Sequence, residues 1–350
     1  MAKYILDIKH NKGNDAGYKA RVDISTILKN NGYIEKEIFV GNNKKQIFKE
    51  LFLQRKQLWR IVHTLEDNSF LVIQYPWNTM YYGFAKMIKK ITSRKKIVTC
   101  IIIHDLNGIR KVSKSSSFYY KYIVKENKYL DLFDNIICHN KKMEEVLVGN
   151  GIDKKKIRKL EVFDYLLSEE ISCSNKIVKN TIKIIVAGNL SRAKAGYIYK
   201  LGNQSIKYEL FGPFYDGSNR RNIHYNGVFL PDELPKYLQN GFGLVWDGES
   251  VERCEGVFGE YMKINNPHKL SLYIASGIPV IVWGESAIAD FVRKNKIGLC
   301  IDSLKDIEKR IQELSQEDID NMLKNVMNIR KSIVKGKNIL SILDELQKEY

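Results

Sequence analysis

Short, almost wholly apolar runs recur along this chain, among them Phe70–Gln74, Ile97–Ile103, Ile182–Ala187, Phe242–Trp246 and Pro279–Trp283. They alternate with segments of helical spacing such as Ala20, Ile24, Ile27 and Leu28, which is the pattern of parallel sheets flanked by helices. The class is α/β. In the first half, strands are expected at Tyr4–Ile8, Glu37–Val40, Phe70–Gln74, Ile97–His104 and Asn135–His139. A second set is expected at Ile182–Ala187, Tyr208–Phe211, Phe242–Trp246, Pro279–Trp283 and Gly298–Ile301. A chain of 350 residues exceeds what one hydrophobic core usually organises. Two Rossmann-like domains are therefore expected, at 1–165 and 181–314, joined by a polar, serine-containing linker at 166–180. A helical tail, 315–350, is interrupted at Gly336 and can cross back onto the first domain.

The formal charge of +17 predicts attraction to something anionic, whether nucleic acid, anionic lipid or a phosphorylated substrate. A lysine-rich genome would raise the balance equally well. The basic residues are spread along the chain rather than gathered in one stripe with interleaved aromatics, which counts against nucleic acid. The five cysteines, Cys100, Cys138, Cys173, Cys254 and Cys300, contain no C-x-x-C pair, so neither a disulfide framework nor a zinc site is suggested and a reducing cytoplasm fits. The first strand begins almost at Met1, leaving no room for a signal peptide, and the apolar runs fall short of the ~20 residues that cross a bilayer. A cytoplasmic protein is expected, at most peripheral on the inner face of the membrane. The stretch Tyr81–Lys96 has six basic residues from Lys86 onward and no acid, with an apolar strip at Met87, Ile88 and Ile91. It suits either an anionic membrane surface or plain solvation.

The segment Asn265–Trp283 is the most informative. Asn266 is a good N-cap, Pro267 suits the first helical position, and Gly277 with Pro279 ends a helix over Pro267–Ser276. His268 and Lys269 then fall in the first turn, where backbone N–H groups, the helix dipole and an ammonium together favour an anion. From geometry alone, a merely solvated Lys269 is an even alternative.

The string NNPHKLSLYIASGIPVIVW resembles the donor-binding segment of GT-B glycosyltransferases. More narrowly, it is similar to the bacterial galactofuranosyltransferase-like family and the related glucosyltransferases that extend O-linked GlcNAc on serine-rich-repeat adhesins. The resemblance runs over essentially the whole chain, through AGNL at Ala187–Leu190, FGP at Phe211–Pro213, VWDG at Val245–Gly248, GEY at Gly259–Tyr261 and AIADFV at Ala287–Val292. It implies two Rossmann-like domains facing across a cleft and makes the anion at Asn266, His268 and Lys269 the diphosphate of a UDP-sugar. Asn189 and Arg192 follow a strand at its carboxyl end, as does Asp247, and all are donor-side candidates. Arg192 suits a phosphate clamp or a plain surface position. The glycine-punctuated loop from Gly248 to Ile264 can fold over the sugar, with Glu260 and Tyr261 as further donor contacts. Retaining GT-B enzymes carry a glutamate five residues before the glycine of G-x-P-V, and Leu272 stands there instead. Inversion is the better expectation.

An inverting transferase needs a base for the acceptor hydroxyl. His104 and Asp105 follow the long apolar strand, with Arg110 just after, and HDLNGIR resembles the HD-L-x-x-x-R element of the family. Asp105 is the first choice and His104 the second, with a turn or helix cap as the ordinary alternative for the aspartate. NDAGYKARVD resembles the N-x-A-G-x-K-A-R-x-D element of galactofuranosyltransferase-like members. It makes Asp15 a rival base and Gly17 and Tyr18 acceptor-side candidates, while Tyr75 and Trp77 offer either a stacking surface or buried packing. Asp318 and Asp320 spell D-x-D but open a helix, so capping is the reading; no metal and no cofactor is expected. The expectation is an inverting hexosyltransferase that moves galactofuranose from a UDP-sugar to a glycan, lipid-linked or glycoprotein acceptor, as a monomer or homo-oligomer. The alternatives are UDP-glucose transfer to an O-GlcNAc-modified adhesin, or a non-catalytic binder of sugar nucleotide or nucleic acid that keeps the same shell.

Overall fold

The computed structural model describes residues 1–9, 16–39, 47–76, 82–110, 119–171, 175–179, 181–202, 205–219 and 221–350. The chain forms two compact units, one of Met1–Gly13, Arg21–Leu160 and Ile339–Tyr350, the other of Asn14–Ala20 and Glu161–Asn338.

The first sheet consists of β1 (Lys3–Lys9), β2 (Ile34–Phe39), β3 (Phe70–Tyr75), β4 (Val98–Ile103), β5 (Asn135–Cys138) and β6 (Ile157–Lys159). All pairings are parallel and the spatial order is β2-β1-β3-β4-β5-β6. The crossovers carry helices α1 (Ala16–Asn30), α2 (Ile47–Thr64), α3 (Tyr82–Arg94), α4 (Asn107–Arg110), α5 (Tyr119–Leu130) and α6 (Lys141–Gly149). β3 is buried at every position, as its unbroken apolar run requires of a central strand covered on both faces.

The second sheet consists of β7 (Lys183–Ala187), β8 (Lys207–Phe211), β9 (Ile223–Tyr225), β10 (Phe242–Val245), β11 (Val280–Trp283) and β12 (Gly298–Ile301). Its helices are α7 (Arg192–Ala195), α8 (Gly256–Tyr261), α9 (His268–Ala275), α10 (Ala289–Asn295), α11 (Ile307–Gln312) and α12 (Gln316–Ile333). The order β12-β11-β10-β7-β8-β9 is that of the Rossmann fold read from its first strand outward in both directions. Strand order reverses between β7 and β10, and ligands of such sheets bind outside the carboxyl ends of the strands at that reversal.

The expected strands all form, within one or two residues at most ends. β6 and β9 were not expected, because each is a three-residue edge strand containing a basic residue and so lacks an apolar run. The described residues of the expected linker, 166–171 and 175–179, belong to the second unit, where Asn175 Nδ2 donates to the Ser276 and Gly277 carbonyls, each at 3.0 Å. After Gly336 the final helix, α13 (Lys337–Lys348), supplies the last residues of the first unit. There Arg158 meets Glu349 at 2.6 Å and Gln347 bonds Tyr33. Among the described residues no helix is long and apolar enough to cross a membrane.

Candidate active site

At the reversal point of the second sheet the chain leaves β7 as Gly188-Asn189 and β10 as Trp246-Asp247-Gly248. Helix α9 aims its first turn at this place because Tyr273, on its inner face, is locked to both strands. The Tyr273 hydroxyl accepts from Ala187 N at 2.9 Å and lies 3.2 Å from the carbonyls of Ile185 and Leu244. Its ring occupies the space a side chain at residue 243 would need, for a Cβ on Gly243 would stand 2.3 Å from the ring. One turn earlier Lys269 enters the crevice. Its stem passes Gly188, where a Cβ would sit 3.1 Å from Lys269 Cε, and its Nζ lies 2.8 Å from Asp247 Oδ1 and 3.3 Å from the Trp246 carbonyl.

The start of α9 differs from expectation by one residue. Pro267 is the N-cap, in an extended conformation, and no side chain caps this end. Asn266 is turned elsewhere, its buried amide donating to the Glu161 carbonyl. A residue whose side chain is committed to the chain entering the unit cannot also cap the helix. His268 stacks on Tyr165 with ring centroids 5.1 Å apart and meets Phe163 edge-on. The uncapped first turn presents its positive end beside the Lys269–Asp247 pair.

Asp247 has a second cation, Lys194 Nζ, 3.7 Å from Oδ2. Two lysines around one carboxylate leave the crevice with a net positive charge. Lys194 was not singled out by sequence reasoning; its position two residues past Arg192 in the same helix start was the available signal. Burial pushes the neighbouring Cys254 thiol well above its ordinary range, against the pull of Lys269, and keeps it neutral.

The remaining donor-side candidates occupy different surroundings. Asn189 Oδ1 accepts from Ser191 N at 2.9 Å and shapes the turn into α7. Arg192 pairs with Asp216 at 2.9 Å and lies over the Tyr199 ring, with its side chain largely in solvent. Gly212, in FGP, has φ +138° and a Cβ there would fall 1.9 Å from the Gly188 carbonyl, so this strand end tolerates only glycine. Within the Gly248–Ile264 loop, α8 buries Tyr261 while Glu260 pairs with Lys263 at 3.3 Å. Glu252 is engaged by Lys305 and Ser303. Leu272 is buried in the core.

In the first unit His104, Asp105 and Arg110 lie together at the carboxyl end of β4. Asp105 and Arg110 form an ion pair. His104 is buried, with Nε2 2.7 Å from Gln74 Oε1. The loop is set by a residue that sequence reasoning missed, Glu126 of α5. Its carboxylate accepts from Asn107 N at 2.7 Å, Gly108 N at 3.0 Å and the Tyr75 hydroxyl at 2.6 Å. Burial raises the Glu126 pKa against the lowering effect of these donors. Tyr75 is accordingly packed inside the unit, near Tyr129, rather than presented as an open stacking face. His139 donates to the Ile103 carbonyl at 3.0 Å from behind, and burial lowers its pKa to about 4. Gly17 and the half-buried Tyr18 lie in the first turn of α1, in the part of that helix that belongs to the second unit. Asp15 and Trp77 lie outside the described residues.

Among the described residues no cluster of three or more His, Cys, Asp or Glu could hold a metal ion. Asp318 is used in a capping box with Ser315 at the start of α12.

Two Rossmann-like units of this kind define the GT-B architecture, and the same fold recurs in solved glycosyltransferase structures. Sucrose-phosphate synthase from Thermosynechococcus elongatus superposes with a TM-score of 0.64 at 11% identity, over 99% of this chain and 98% of that one. Anabaena Alr3699/HepE, solved with UDP and glucose, gives 0.61 at 10% identity over 99% and 100%. The fold and the chain's sequence relatives together make the protein a GT-B glycosyltransferase. Its residues 2–162 match the family model for the N-terminal domain of glucosyltransferase 3-like proteins, and 184–346 match that for the C-terminal domain. The chain belongs to the glucosyltransferase 3-like family. It is 30% identical to the beta-1,6-galactofuranosyltransferase WbbI of Escherichia coli K12, covering 98% of both chains, and 24% identical to glucosyltransferase 3 of Streptococcus gordonii, covering 93% and 92%.

Proposed function

We propose that the protein is an inverting hexosyltransferase that moves galactofuranose from UDP-galactofuranose to a surface-glycan acceptor. The observation that carries the donor half is the uncapped start of α9 beside Lys269, Lys194 and Asp247 at the reversal point of the second sheet. A diphosphate there gains backbone donors, the helix dipole and the net positive charge of the two lysines. Asp247 holds Lys269 extended before donor arrives, so little side-chain entropy is lost on binding. The UDP complex of the structurally similar Anabaena protein supports a uridine nucleotide, and the likeness to WbbI supports galactofuranose.

Inversion is supported by Leu272, an apolar core residue where a retaining enzyme of this architecture carries its glutamate. The base is then Asp105, with His104 and Asp15 as rivals. Arg110 holds the Asp105 carboxylate in place for the acceptor proton. The reaction is proposed to be metal-independent, since the D-x-D aspartate Asp318 serves as a helix cap, and EDTA should leave the rate unchanged.

The purified protein should release UDP from UDP-galactofuranose in the presence of a lipid-linked glycan acceptor, with inverted configuration at the anomeric carbon by NMR. A retained anomer would overturn the inverting mechanism. A second reading, glucose transfer from UDP-glucose to a GlcNAc-bearing adhesin peptide, is favoured by the family's glucosyltransferase members. UDP release confined to that pair of substrates would replace the first reading.

A further inference from the structure

We propose that a basic, aromatic-edged groove between α2 and α3 of the first unit docks the protein on a bilayer rich in anionic phospholipid. The two helices pack side by side and enclose a groove of about 580 Å³. From α2 it is lined by Phe52, Arg55, Lys56, Trp59 and His63, whose spacing of three, four, seven and eleven residues from Phe52 keeps them on one helix face. The opposite face of the same helix, with Leu58 and Val62, is buried in the unit. From α3 come Lys86, Lys90 and Arg94 over a floor that includes Met87 and Ile91.

The composition of this face is one-sided. Among the described residues it carries five lysines and arginines and no carboxylate. Lys89 and Lys95, just outside it, pair with Asp134 and Asp67, whereas Arg55, Lys56, Lys90 and Arg94 make no ion pair with any described residue. Beside these charges Phe52 is 68% exposed, Leu53 46% and Trp59 50%. Large apolar side chains standing in water next to a row of cations find their match at a bilayer surface. The cations meet lipid phosphates there while Trp59, Phe52 and Leu53 enter the boundary between headgroups and acyl chains. Single-stranded nucleic acid would use the cations and the rings, but an exposed leucine gains nothing from base stacking. The proposal does not depend on which sugar is transferred.

Co-sedimentation of the full chain with vesicles of phosphatidylcholine alone, and of phosphatidylcholine mixed equally with phosphatidylglycerol, tests it. Binding is expected to the mixed vesicles only and is lost in high salt. Each basic residue near an anionic surface contributes about fivefold, so the double variant Lys56→Glu/Lys90→Glu should weaken partition by more than ~20-fold. Phe52→Ser should weaken it too without lowering the unfolding midpoint. Trp59 emission should shift to the blue on binding, and Trp59→Phe should abolish that shift. Equal binding to both vesicles, no binding to either, or full binding by the charge-reversed variant would overturn the proposal. So would retention of single-stranded RNA that excess mixed vesicles fail to displace.

Discussion

Lys269 and Asp247 form an ion pair 2.8 Å long, with both side chains about nine-tenths buried, between the ends of β7 and β10. A buried pair broken on one side leaves an uncompensated charge, at a cost of about 3–5 kcal/mol. Lys269→Ala should therefore lower both stability and UDP affinity. Lys194, 3.7 Å from the other oxygen, compensates the remaining Asp247 charge only in part, so adding Asp247→Asn should recover part of the stability while UDP affinity stays low. Urea unfolding and UDP titration on the wild type, each single variant and the double variant separate the two effects. A double variant that recovers UDP binding would show that Lys269 acts only through folding.

Asp105→Asn keeps the shape of the loop and its contact with Arg110 but removes the proton acceptor. The turnover number should fall about 10²- to 10⁴-fold with the KM for donor little changed. His104→Asn should cost less, because the imidazole is buried against Gln74. An equal loss in both would move the base to the histidine, and full activity in Asp105→Asn would leave Asp15 as the candidate to test.

Gly243 and Tyr273 make a tight pair whose tolerance is readily measured. A Cβ on residue 243 would overlap the ring, so Gly243→Ala must displace the helix that carries Lys269. The expected loss is about 1–3 kcal/mol, as for other overpacked cores, accompanied by weaker UDP binding. Tyr273→Phe keeps the ring and loses the hydroxyl that Ala187 N and two strand carbonyls share, and should destabilise by about 1–3 kcal/mol. An unchanged melting temperature in Gly243→Ala would mean that the helix has room to move.

Much of this was legible in the residues alone, and the reasons are local. β3, β4, β7, β10 and β11 are buried strands whose apolar runs announce them. Asp318 declares its capping role by sitting three residues after Ser315. What was not legible depends on partners distant in sequence. The start of α9 shifted because Asn266 reaches the Glu161 carbonyl, 105 residues away. Lys269 was readable as a cation at a helix start, but not its engagement by Asp247, which only the strand order brings alongside. Glu126 looked like any polar residue of an amphipathic helix until Asn107, Gly108 and Tyr75 converged on it.

His139 offers a pH test of the packing behind the Asp105 loop. Burial holds its folded pKa at about 4, below the ordinary 6.5, so the folded state keeps the ring neutral while the unfolded chain takes up a proton. The contribution to stability is fully present above pH 6.5 and is lost as pH falls from there through about 4. The shift corresponds to roughly 3 kcal/mol over that interval. His139→Asn removes the titrating group and can still donate toward the Ile103 carbonyl. Unfolding free energies of wild type and variant should therefore converge as pH drops from 7 to 4, wild type losing its advantage. A constant difference across that range would show that the ring titrates alike in the folded and unfolded chain, and that burial does not hold it neutral.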